Sequence, residues 1–115
     1  MITDLNYLHQ MTGNDSGMLK TTIEVFLHQL NEMRDDLQML LNNKNWSELS
    51  RLAHKIKSSA LMMGIEQMSD DMKELELLAR ESKNIEKYPY YVARFNTITD
   101  LIEVELKMYL DADEE

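Results

Sequence analysis

Apolar residues recur along most of this chain at alternating spacings of three and four, the period of one face of an α-helix. The most regular stretch is Leu19, Ile23, Phe26, Leu30, Met33, Leu37 and Leu40. It predicts a long helix from about Ser16 to Asn42, ended by the polar run Asn42-Asn43-Lys44-Asn45. A shorter pattern precedes it, with Leu5, Leu8 and Tyr7 as inward candidates, and predicts a first helix over about 4–11. Thr3 is its expected N-cap, and Gly13-Asn14-Asp15-Ser16-Gly17 breaks it. A third helix follows Asn45, with Glu48 three residues on in a capping-box arrangement. Its inward face reads Leu49, Leu52, Ala53, Ile56, Ala60 and Met63, and Gly64 is suited to a left-handed C-terminal turn.

Ile65, Met68, Met72, Leu75 and Ala79 form the seam of a fourth helix, and the polar run 81–87 reads as a linker. Pro89 suits the first turn of a fifth helix, whose inward residues are Val92, Phe95, Ile98, Ile102, Leu106 and Tyr109. The acidic tail 111–115 is expected to fray. Short connections between four long helices predict an all-α, up-down-up-down antiparallel four-helix bundle, with the short N-terminal helix packed over one end. A single domain over residues 1–115 is expected from the length.

Composition strengthens the helical reading. Three glycines, one proline and ten methionines in 115 residues leave little material for strands and turns. Without cysteine, disulfide scaffolds, thiolate metal sites and thiol catalysis are excluded. No apolar run approaches the roughly 18–20 residues of a membrane span, and no basic-then-apolar segment opens the chain. A cytoplasmic monomer without a membrane partner is therefore expected. The net charge of −9 disfavours nucleic acid as a partner, because its phosphates would repel the chain.

Charge is uneven, and that points to chemistry. Residues 44–60 carry Lys44, Arg51, Lys55 and Lys57 against Glu48 alone, a local +3 that leaves −12 for the remainder. The histidine of this basic island, His54, lies one position past the inward Ala53, about 100° around the helix, and so at a flank or on the outer face. Lys57 and Ser58 share its face. Helical side chains lean toward the N-terminus, so a large residue at 58 would roof the imidazole, whereas serine leaves it open. Imidazole has a reference pKa of about 6.5 and offers a nitrogen lone pair near neutral pH. A phosphoryl group on it would bring close to two negative charges, for which Lys57, Lys55 and Arg51 are the candidate cations. His54 is mid-helix, beyond reach of the helix dipole, so the cations must supply the field.

Ala53-His54-Lys55-Ile56-Lys57-Ser58-Ser59-Ala60, then Gly64 and Leu75-Glu76, resembles the histidine-containing phosphotransfer (HPt) family of multistep phosphorelays. The family pattern is approximately H-x-L-K-G-[SA]-[SA], followed by a glycine turn and a helix bearing Leu-Glu. Asn45-Trp46, the long preceding helix and the short N-terminal helix fit it too. Ile56 replaces the usual leucine and Ser58 the frequent glycine. The resemblance implies His54 as phosphoacceptor, Lys57 as the supporting cation and Ser58 as the small residue that keeps the ring accessible. It also implies receiver domains of response regulators and a hybrid sensor kinase as partners. Mg²⁺ would then belong to the receiver, with no cofactor on this chain. Leu61, one turn beyond Ser58, and exposed residues of the first helix are docking candidates.

The implied role is that of a phosphoryl carrier without kinase activity of its own, since no phosphate-binding glycine loop is present. The alternative is a non-catalytic helical module that binds a receiver-like partner without transfer. A carboxylate-bridged metal enzyme would need Glu-x-x-His motifs, and none occurs. No H-E-x-x-H motif or compact His/Asp/Glu cluster has metal-ligand spacing. His28 is expected in solvent, and His9 near the second helix. Asp35-Asp36 and Asp70-Asp71 read as solvated faces, the methionines as core and Trp46 as a packing anchor. Met1 and the acidic end favour a free-standing protein over a domain cut from a hybrid kinase.

Overall fold

The computed structural model describes residues 2–113. Five α-helices follow one another, α1 (Asn6–Met11), α2 (Ser16–Asn42), α3 (Trp46–Met62), α4 (Glu66–Arg80) and α5 (Tyr88–Asp113), with a short 3₁₀ turn at Ile85–Lys87. No strand occurs among the described residues. Helix α2 packs on α3 and α5, and α4 packs on the same two, so the four long helices close a ring. The inward residues expected on the four long helices make up its core. Leu40, Leu52 and Tyr109 lie at its margin, half-buried.

The caps show why the helices begin where they do. The Asp15 side chain accepts the Met18 amide at the start of α2. Asn45 accepts the Glu48 amide at the start of α3. The other half of the expected capping box does not form: the Glu48 carboxylate reaches forward to Arg51 at 2.9 Å instead. At the far end of α3, Gly64 adopts φ +68°, and a Cβ there would meet the backbone of Asp4. The Asp4 amide donates to the Met63 carbonyl at 3.0 Å. The N-terminal segment is thereby laid over the C-terminal end of α3.

Several expectations are corrected at the ends of the bundle. Helix α1 starts at Asn6, and Thr3 does not cap it. The Thr3 hydroxyl donates to Glu105 of α5 at 3.0 Å. Leu5 and Leu8 are buried, but Tyr7 faces solvent, since the inward stripe of so short a helix admits only one side. His9 meets α5, not α2, with Nε2 3.2 Å from the Tyr109 hydroxyl. At the opposite end Tyr88 is fully buried, its hydroxyl donating to the carbonyls of Leu78 and Lys83. Trp46 packs edge-on against it at 5.1 Å. The linker is therefore tied down. Asp71 pairs with Arg94 of α5 at 2.6 Å, so that acidic position is an interhelix bond and not a solvated face. The methionines divide, with Met33, Met63, Met68 and Met72 in the core and Met11, Met18, Met39 and Met108 exposed. The tail stays helical through Asp113. Met1, on which the free-standing expectation partly rests, and Glu114 and Glu115 lie outside the described residues.

Candidate functional site

Small residues bring α3 and α4 together at the site. Ser50 is buried, and its hydroxyl donates to the Glu76 carbonyl at 2.9 Å, which sets the level of α4 against α3. One turn along α3, His54 stands at that junction with its side chain 63% exposed. Its Nδ1 lies 2.7 Å from Glu76 Oε1 and 3.2 Å from Oε2. An ionised carboxylate can only accept, so Nδ1 carries the ring proton and donates it to Glu76. In the neutral ring the lone pair is then on Nε2.

Lys57 completes the arrangement from the next turn of α3, with Nζ donating to Glu76 Oε1 at 3.2 Å. Glu76 is only 12% exposed. Burial pushes its carboxyl upward, but the hydrogen bonds and positive charges of His54 and Lys57 outweigh this and hold it below its ordinary value of 4.5. A carboxyl lowered on folding stabilises the fold above its unfolded pKa, and that contribution is lost as pH falls through the folded value. Wild type and Glu76→Gln should therefore differ in urea midpoint at about pH 6 and converge well below 4.5, which a pH series of denaturation curves would check.

The cations expected around His54 are not all brought to it. Arg51 lines the same open depression of about 280 Å³ as Ser50, His54, Glu76 and Arg80. Lys55 lies instead in the neighbouring groove between α2 and α3, with Asp36, Met39 and Leu40, and Arg51 stands between the two. Glu76 offsets Lys57, and Glu48 pairs with Arg51, so two of the four cations of the island are paired with carboxylates in space. Arg80, placed there by α4, was not foreseen. Nor was the role of Glu76, although Leu75-Glu76 belongs to the pattern already noted.

Ser58 is exposed, and its hydroxyl turns back to the His54 carbonyl at 3.3 Å, leaving nothing bulky at that position. Leu61 is 62% exposed and lines a shallow depression with Tyr7, Ser58 and Met62, so an apolar patch from α3 and α1 adjoins the histidine. His28 is in solvent with Glu32. Among the described residues no group of histidine, aspartate and glutamate could hold a metal ion, and no helix is long and apolar enough to cross a membrane.

Comparison with known proteins places this geometry in context. A family model described as the Hpt domain matches residues 22–112, which include all of α3 and α4. The chain is also similar to the phosphorelay intermediate protein YPD1 of Candida albicans, 29% identical over 66 residues. That match covers 57% of this chain and 36% of the relative, so the chain spans about a third of the length of that protein. No solved structure matches it with significance.

Proposed function

This chain belongs to the Hpt domain family, and on that premise we propose that it is a phosphorelay intermediate in which His54 carries the phosphoryl group. The observation that supports this most is the contact between Nδ1 and Glu76, because it leaves the nucleophilic lone pair on Nε2 of an exposed ring. In the transfer, Nε2 attacks the phosphorus of an aspartyl phosphate on a receiver domain. A P–N bond forms, the P–O bond to the aspartyl carboxylate breaks, and the carboxylate leaves with the electron pair. The ring gains positive charge as it is phosphorylated, and Glu76, already hydrogen-bonded at Nδ1, stabilises that charge as the carboxylate of a catalytic triad does. Reversal onto a second receiver carboxylate returns the neutral ring.

On this reading the chain is a carrier and not a kinase. Its partners are receiver domains of response regulators and a hybrid sensor kinase, with Mg²⁺ bound on the receiver side. The apolar patch around Leu61 and Tyr7 would meet the receiver. The test mixes the protein with a receiver domain bearing a labelled aspartyl phosphate. The expected product is a label on this chain that is acid-labile and alkali-stable and that maps to the peptide containing His54. A complex that forms without label transfer, or label on another residue, overturns the proposal.

A further inference from the structure

We propose that the outer face of α5 is a self-association surface, on which a second copy of this chain lays its own α5 antiparallel. Such a dimer is independent of phosphotransfer and departs from the monomer expected from the sequence. On α3 and α4 the exposed positions are mostly charged or polar, with Leu61 and Leu77 as the large apolar exceptions. Helix α5 differs. Between residues 93 and 108 its exposed positions carry only two charges, Asp100 and Lys107. Leu101, Val104 and Met108 are 53%, 60% and 66% exposed there. Their spacings of three and four set them in one stripe on successive turns. The bundle covers the stripe of Phe95, Ile102 and Leu106 and leaves this second one bare. A single exposed aliphatic residue is ordinary, but a seam of three has the pattern of a helix that packs on another.

Charge selects the occupant and its direction. Setting Leu101 against Val104 of the second copy places a two-fold axis between them. Thr97 then faces Met108, and Arg94 faces Asp111. Asp100 and Lys107 border the same side of the seam, where they meet across it. Each charged meeting joins opposite signs and occurs twice by symmetry. Lys107 and Asp111 are exposed and have no ion pair among the described residues. Arg94 is bonded to Asp71 through Nε, which leaves further donors on the same guanidinium. A parallel pair would instead set Asp100 beside Asp100 and Lys107 beside Lys107. The seam is therefore complementary to itself, as a two-fold interface requires. Helix α3 stands across the ring from α5, so His54 of each copy stays open.

A seam about 26 Å long and one helix wide is small, so the dimer is expected to be weak, at about 10–100 μM. Sedimentation equilibrium on the whole chain tests this, in about 0.3 M salt to screen the −9 charge on each copy. Over about 5–500 μM the weight-average mass should rise from one chain toward two. Leu101→Glu should weaken association by at least about tenfold, at unchanged helix content because the position is exposed in the free chain. Lys107→Glu, which turns like charges on Asp100, should weaken it by about threefold. The chain has no cysteine, so direction can be read by disulfide cross-linking under mild oxidation. A mixture of Thr97→Cys and Met108→Cys chains should cross-link in preference to either chain alone. A chain that stays monomeric over the whole range overturns the inference, since the seam would then serve a different protein. So does wild-type association by Leu101→Glu, and so does cross-linking of Thr97→Cys alone, which would mean a parallel pair.

Discussion

Glu76→Gln is expected to slow phosphoryl acceptance by His54 by about tenfold while leaving the bundle folded. Glutamine matches the shape of glutamate but not its charge. Lys57 Nζ can only donate, and it lies 3.2 Å from Oε1, so in the variant it claims the amide oxygen. Oε1 is also the oxygen nearer to Nδ1, at 2.7 Å against 3.2 Å for Oε2, so the same amide oxygen accepts from the ring and the lone pair stays on Nε2. What is lost is the negative charge that stabilises the ring as it becomes cationic. Glu76→Ala should be more harmful, because it removes the acceptor at Nδ1 as well, and either tautomer can form at the exposed ring. Loss of a buried triad aspartate to its amide costs about 10⁴ because the ring is left in the wrong tautomer. The smaller figure here reflects the retained tautomer and the exposure of His54. Labelling rates of the two variants, with ¹⁵N shifts of His54 to report the tautomer, would check the order. A glutamine variant as fast as wild type would mean that the charge of Glu76 does not assist transfer.

The largest effect on stability is expected from Gly64→Ala. The new Cβ would lie 2.6 Å from the Asp4 carbonyl oxygen and 2.7 Å from its amide nitrogen, besides crowding the Asp4 Cβ. Those are backbone atoms, fixed by the bond from the Asp4 amide to the Met63 carbonyl, so no side-chain rotation relieves the overlap. A left-handed φ of +68° adds strain for any residue with a Cβ. Together these should cost about 2–3 kcal/mol, or roughly 10 °C in Tm for a chain of this size. Gly13→Ala is the natural comparison. It has φ +60° but nothing within 4 Å of a new Cβ, so it should incur only the conformational cost of about 1 kcal/mol. The difference in thermal midpoints isolates the collision, and loss of amide-exchange protection at Asp4 would show that the N-terminal segment has lifted. Equal midpoints would mean that the segment can move aside freely.

Both predictions turn on contacts between segments distant in sequence, and these were the hardest features to foresee. Helix α2 was legible to its ends because its spacing and its boundaries are local, with Asp15 capping the first turn and polar residues ending the last. Asn45 was legible as a cap for the same reason. Thr3 was misjudged because its hydroxyl had a better acceptor in Glu105, about a hundred residues away. Tyr88 was overlooked because it lies at the boundary of a helix, where periodicity says little about which side faces inward.

At the site, the exposure of His54 followed from one step past Ala53. Glu76 stands in the same relation to Leu75. On antiparallel neighbours an equal step turns both side chains to the same side of the junction, and that parallel was the available signal. It could not say that the two would meet at 2.7 Å, or that Lys57 would be offset by the same carboxylate. The sequence by itself determined the helices, their inward faces, the exposure of His54 and the small residue that keeps it open. Each of these depends on backbone hydrogen bonds and side-chain spacings within a few residues. Only the tertiary structure decided the tautomer of His54, the pairing of the basic island and the entry of Arg80. Those depend on the axial level and rotation of α4 against α3, which the packing of the whole core sets.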